Sequence, residues 1–129
     1  MNAPRLRVEP LGVAKKDAQG WRTTWRVAND EAAVVRVIGA VAPHSKFRGE
    51  AALDREVRSK GSTQFPLVVR VDGVANTEIE NAFVILLVEQ GEERWRVLAR
   101  LRVPLDDEAR PRPRVEAITV QRVGFSGEL

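Results

Sequence analysis

The chain has 129 residues, no cysteine and one histidine, and its 21 lysine and arginine residues against 18 aspartate and glutamate residues give a formal charge of +3. This length fits one ordinary domain, and 43% apolar with 30% charged residues is the balance of a soluble globular protein rather than of a disordered one. Without cysteine and with one histidine, the chain alone cannot form a disulfide, a cysteine nucleophile or the usual zinc or iron ligand sets.

Alternation of apolar and polar residues predicts strands near the N-terminus. The first strand is short, covers residues 5–9 and is closed by Pro10. Residues 21–27 place two tryptophans, a threonine and a valine on one face, and the strand at residues 34–41 follows after a polar turn at residues 29–31. Because that turn is short, we expect the strands at residues 21–27 and 34–41 to form a hairpin.

The middle of the chain has a less regular pattern. Residues 43–50 are bracketed by proline and glycine and are expected to be irregular. Residues 50–60 fit two interpretations equally well. Leu53 and Val57 are four residues apart and are accompanied by charge pairs at helical spacing, which favours a short helix, but the same segment also fits an edge strand. Clear alternation resumes at residues 65–71.

The C-terminal half contains the strongest strand patterns. Residues 81–88 are apolar on both faces, which is typical of a central strand covered on both sides. Gly91 provides a hairpin turn, and residues 95–103 alternate without interruption. The segment 104–114, rich in proline and arginine, is predicted to be a linker. Residues 115–129 contain a candidate last strand and a short tail.

These segments predict a single domain over residues 1–129, with its core in residues 5–103. About seven short strands separated by turn signals, with room for only one short helix in the middle, indicate an all-β, antiparallel β-sandwich. The first seven residues lack the apolar stretch of a secretory signal. The longest apolar run, residues 82–88, is far shorter than the ~20 residues of a membrane-spanning helix. We therefore expect a cytoplasmic protein without membrane contact.

Two segments resemble a known kind of domain. The sequences WRVAN at residues 25–29 and GSTQFPLVV at residues 61–69 resemble strand and turn motifs of bacterial immunoglobulin-like and fibronectin type III-like sandwiches. The resemblance covers about residues 20–103 and implies an immunoglobulin-like fold with an interaction role, but no site residues. The chain departs from antibody-type domains because it has neither cysteines nor any tyrosine for a tyrosine corner.

The most distinctive candidate surface is a row of arginines pointing away from the apolar face of the strand at residues 95–103. The row consists of Arg94, Arg96, Arg100 and Arg102, and it becomes a broad basic face if Arg22 and Arg26, or Arg36 and Arg70, lie on neighbouring strands with the same orientation. Alternate residues of a strand are about 6.5–7 Å apart, so such a face can bind a polyanion such as nucleic acid. The other interpretation pairs the arginines across strands with Glu78, Glu80, Glu89 or Glu93 as a solvated surface. The lack of aromatic residues on this face favours the second interpretation.

A second candidate is a binding loop within residues 43–49. It combines a titratable side chain, cations and an aromatic ring in His44, Lys46, Phe47 and Arg48. Loops carried on rigid scaffolds often bind ligands. The competing interpretation, which we favour, is that Phe47 closes the end of the core while the polar residues are solvated.

Enzymatic arrangements are not recognisable in the sequence. It has no nucleophile elbow, no glycine-rich phosphate loop and no histidine pair. A serine–histidine arrangement would need His44 beside Ser45, and a loop histidine bonded to backbone is the simpler interpretation. The acidic residues 106–108 lack the alternating spacing of a calcium site. We therefore expect no enzymatic activity, no catalytic residue, no cofactor and no metal.

The expected function is a non-catalytic protein-interaction or structural module, with polyanion binding as the alternative. The partner is an unidentified protein or a second copy of the chain. Leu98 among arginines and the doubly apolar run at residues 83–88 would be natural in a sheet that is partly covered by another chain or by the C-terminal segment.

Overall fold

The computed structural model describes residues 3–123 of the chain. This part forms eight β-strands and no helix. The strands are β1 (Leu6–Asp17), β2 (Gly20–Asn29), β3 (Val35–His44), β4 (Phe47–Val57), β5 (Ser62–Val71), β6 (Glu78–Gln90), β7 (Glu93–Pro104) and β8 (Arg114–Arg122). All paired strands are antiparallel, which confirms the prediction of an all-β, antiparallel protein.

The strands belong to one sheet in the order β1-β2-β5-β4-β3-β6-β7-β8. The ladder between β4 and β5 is short and pairs Phe47 with Val71 and Arg48 with Arg70. Beyond this corner no further ladder pairs join β4 to β5, and the sheet curls so that its outermost strands, β1 and β8, come close to each other.

The curl gives the strands one common core. Inward side chains from β1 to β7 form a single apolar cluster, and partly buried residues of β8 pack against it. The fully buried aromatic residues are Trp25, Phe47 and Phe65. The indole N–H of Trp25 donates to the hydroxyl of Thr23 at 2.7 Å, and this hydroxyl donates to the carbonyl of Leu67, also at 2.7 Å. The buried indole of Trp25 and hydroxyl of Thr23 are thereby satisfied.

The middle of the chain differs from the sequence-based expectation. Of residues 50–60, which fitted either a helix or an edge strand, residues 50–57 belong to strand β4, and the segment at residues 43–50 is a hairpin rather than irregular chain. The described residues therefore contain no short helix. Asp54, one of the residues at helical spacing, makes a cross-strand contact instead, since it accepts a hydrogen bond from Arg36 on β3.

The prediction of a seven-strand immunoglobulin-like sandwich is wrong in two respects. The described chain has eight strands, because β4 is a strand, and these strands form one curled sheet. The sheet stays continuous because β4 and β5 remain hydrogen-bonded at their corner, where the backbone N–H of Asp72 donates to the carbonyl of Lys46 at 3.0 Å.

The connection between β7 and β8 packs against the rest of the molecule. Leu105 is buried and forms an isolated bridge with Pro111. The guanidinium of Arg110 lies over the ring of Trp21 on β2 at 5.6 Å from its centroid, and the amine of Lys16 lies at 4.8 Å. This segment, which the sequence predicts to be a linker, therefore contacts the N-terminal strands. The predicted tail at residues 124–129 lies outside the described residues.

Candidate interaction surfaces

Strand β7 carries four arginines on its outer side. Arg94, Arg96 and Arg100 are exposed and Arg102 is half-buried, while the intervening side chains from Trp95 to Val103 enter the core. The alternation that predicted this row follows from the period of two in a strand.

Most of this row is paired with carboxylates. Arg94 lies 3.5 Å from Glu89, and Arg102 contacts both Glu78 at 3.0 Å and Glu116 at 2.9 Å. Hydrogen bonds from Arg102 to Glu116 and Glu78 raise the pKa of this arginine above its ordinary value. These contacts are of the cross-strand kind that makes a solvated surface.

Two arginines of the row lack a strong partner. Arg100 lies 3.9 Å from Glu116, near the limit of a direct ion pair. Arg96 has no carboxylate within 4.0 Å in the part of the chain that the structure describes. Within the described residues, Arg96 is therefore the arginine of the row whose charge is not paired with a carboxylate, and it is called the uncommitted cation below.

The arginines of β2 do not extend the row. Four strands separate β2 from β7 in the sheet, because β2 pairs with β1 and β5. Arg22 is exposed, and Arg26 donates to Glu9 on β1 at 2.7 Å. Arg22 and Arg26 therefore do not add to one basic face with the arginines of β7. The expectation failed because the order of strands in the sheet cannot be read from the sequence.

An apolar patch lies on the outer face of β3, β6 and β7. Val41 is opposite Ile85, which is opposite Leu98, so three apolar side chains cross three strands at one level. The outer apolar patch consists of Ile38, Val41, Phe83, Ile85, Leu87 and Leu98, all partly exposed. The inner side of β6 is in the core, but within residues 3–123 no further strand packs over its outer side.

The predicted binding loop is a tight turn. His44 pairs with Phe47 across the β3–β4 hairpin, with two residues between them. Phe47 is fully buried in the core, whereas Lys46 and Arg48 are exposed. The backbone N–H of Lys46 donates to Nδ1 of His44 at 3.0 Å. The aromatic member is thus part of the core, and the cations remain on the surface.

Arg48 faces a second arginine that sequence reasoning did not connect with it. Arg48 on β4 and Arg70 on β5 are directly opposite each other at the sheet corner, and both are exposed. They border a surface pocket of about 320 Å³ whose other lining residues include Val41, Pro43 and Glu50. Only the register between β4 and β5 brings these arginines together, and alternation within each strand does not reveal register.

The acidic residues 106–108 stabilise their own turn. Burial alone would raise the pKa of Asp106, but hydrogen bonds from the backbone N–H groups of Arg110 and Glu108 and from the side chain of Arg112 lower it overall. Among the described residues, no three histidine, aspartate or glutamate side chains are grouped so that they could hold a metal ion.

Comparison with known proteins gives this chain no relatives. No protein-family model, no curated protein and no solved structure matches it. The resemblance to immunoglobulin-like and fibronectin type III-like domains therefore stays a prediction. Residues 3–123 contain no helix long and apolar enough to cross a membrane.

Proposed function

We propose that this protein is a non-catalytic interaction module that pairs with a second copy of itself through the outer apolar patch. The supporting observation is that six apolar side chains lie together on the outer side of three adjacent strands. A contiguous exposed apolar surface rimmed by polar residues is typical of protein–protein contact sites.

The charges beside the patch favour a second copy as the partner. Glu50 on β4 is directly opposite Val41, and in the described residues it has no arginine or lysine nitrogen within 4.0 Å. Arg96 on β7 is the uncommitted cation on the other side. Strands β4, β3, β6 and β7 are consecutive in the sheet. Glu50 and Arg96 are on the outer two of these strands, so they lie on opposite sides of the midline between β3 and β6, each about one and a half strand spacings, ~7 Å, away from it.

A two-fold axis along this midline makes the surface self-complementary. It places Val41 of one copy against Ile85 of the other, and Leu98 of one copy against Glu50 of the other. Glu50 lies at the level of Leu98, so its carboxylate would point between Arg96 and Arg100 of the opposite copy. In this arrangement Glu50 of each copy lies close to the arginines of the other, so the charges on both sides of the patch are complementary.

The alternative function, polyanion binding, has weaker support. The glutamates contacting Arg94 and Arg102 neutralise much of the field of the row. If the row nevertheless bound nucleic acid, affinity would fall steeply with salt and Arg96→Glu would weaken it. Self-association driven by an apolar patch would instead change little with salt.

Sedimentation equilibrium over a range of protein concentrations tests the proposal. We expect reversible dimers, and we expect Leu98→Glu to weaken dimerisation at least ~10-fold, because a carboxylate would replace an apolar side chain of the patch and face Glu50 of the opposite copy. Val74→Glu is the matched control, since Val74 is 73% exposed and lies outside the patch. A wild-type protein that stays monomeric, or a Leu98→Glu variant that dimerises as well as the control, would exclude this function.

A charge exchange tests the orientation of the two copies. Glu50→Arg and Arg96→Glu should each weaken the dimer, because each places like charges together across the interface. The double variant should recover much of the wild-type affinity. Additive losses in the double variant would show that Glu50 does not lie over the arginine row.

A further inference from the structure

We propose that Arg48 and Arg70 form a binding site for a single oxyanion group, a carboxylate or a phosphate, carried by a small molecule with an apolar body. The site is the pocket at the corner between β4 and β5. It adjoins the outer apolar patch and shares Val41 and Glu50 with the proposed dimer interface, so it is tested in a variant designed to stay monomeric.

The backbone holds the two arginines side by side. Arg48 and Arg70 are cross-strand partners, two residues along from the backbone hydrogen bond that Asp72 donates to Lys46. Partners in such a hydrogen-bonded pair have Cα atoms about 5.5 Å apart and project their side chains to the same face. The two guanidiniums therefore leave the sheet together.

The corner cannot open to separate these charges. Gly49 follows Arg48, and a Cβ at this position would lie 2.2 Å from the carbonyl oxygen of Val68. The two strands thus cross in close contact next to the arginine pair. The spacing of the two arginines along the backbone is therefore set by this crossing rather than by a loop.

The charges of the pair are not compensated within the described chain. Neither Arg48 nor Arg70 has a carboxylate within 4.0 Å there, whereas Arg36 and Arg102 each contact one or more. Like charges directly opposite each other destabilise a sheet. An oxyanion between the two guanidiniums removes this repulsion and accepts hydrogen bonds from both.

The rest of the pocket limits what the ligand can be. Its lining includes Val41 and Pro43, which can contact an apolar group, and its volume of about 320 Å³ fits a small molecule. Glu50 lies on the rim and repels a second negative group. The site therefore favours one oxyanion with an apolar body over a polyanion or a diphosphate.

Titration with two probes tests the site and identifies the oxyanion. Sodium benzoate and phenyl phosphate are added to the protein at constant ionic strength while amide NMR shifts and the unfolding temperature are followed. We expect saturable shifts centred on Arg48 and Arg70 for one probe or both, and inorganic pyrophosphate should bind at least ~5-fold more weakly because of Glu50. Using the Leu98→Glu variant keeps the result separate from dimerisation.

Variants decide whether the pair is responsible. Arg48→Gln and Arg70→Gln should each reduce affinity at least ~5-fold, since each removes one guanidinium from the oxyanion. Without ligand, each should raise the unfolding temperature, because the repulsion is relieved. Arg22→Gln, at an exposed arginine of β2, is the matched control. No saturable binding of either probe, or equal losses in the control, would overturn the proposal.

Discussion

A hydrogen bond from a buried nitrogen holds Trp25, the largest fully buried side chain, in place. Trp25 is fully buried, and its indole N–H needs an acceptor there. Thr23, two residues earlier on the same face, provides this acceptor, and its hydroxyl in turn donates a hydrogen bond to the carbonyl of Leu67. The sequence places both side chains on the inner face of a strand by alternation. It does not show that they form a chain of hydrogen bonds, because this depends on the neighbouring strand β5.

We expect Thr23→Val to destabilise the protein by about 1–3 kcal/mol, because the substitution keeps the shape but leaves the buried indole N–H of Trp25 without its acceptor. Urea unfolding followed by tryptophan fluorescence measures the change. Thr24→Val is the control: Thr24 is half-buried on the opposite face and should change stability by less than ~0.5 kcal/mol. Equal effects of the two variants would show that the hydrogen bonds to Thr23 contribute nothing.

At the scale of strands, period-two alternation identified β2, β5 and β7 because their two faces have different environments. It failed for β4, whose charged residues fit helical spacing and strand spacing equally well. In the structure Asp54 contacts Arg36 on the neighbouring strand, so a long-range pairing decides the local structure. The same limit applies to the candidate sites. The arginine row of β7 was predictable from one strand, but the opposition of Arg48 and Arg70 depends on two.

The β4–β5 corner makes a further prediction for these strands. Gly49→Ala should destabilise the protein by about 1–3 kcal/mol, since the new methyl group would meet the carbonyl of Val68 and force the strands apart. Gly39→Ala is a matched control within β3, where the nearest atoms lie 3.6 Å from the added Cβ. We expect it to be neutral or to stabilise by up to ~1 kcal/mol. Chemical denaturation of both variants tests the difference, and equal stabilities would mean that the corner is not tightly packed.

At the scale of the molecule, residues 3–123 form a curled sheet whose end strands, β1 and β8, lie close together. The segment that links β7 to β8 packs where these strands approach. Leu105 is buried, its N–H donates to the carbonyl of Thr77 at 2.8 Å, and a Cβ on Gly73 would meet its side chain at 2.5 Å. Arg110 of the same segment lies over Trp21. The segment therefore joins the loop before β6 to the N-terminal strands.

Leu105→Ala should accordingly cost about 2–4 kcal/mol of global stability, in the range of core leucines rather than of linker residues. Val74→Ala in the adjacent loop is the control, because Val74 is 73% exposed and should change stability by less than ~0.5 kcal/mol. Denaturation followed by both tryptophan fluorescence and circular dichroism should give one coincident transition for each protein. If Leu105→Ala behaved like the control, the 105–113 segment would be a loose connection and the sheet would close without it.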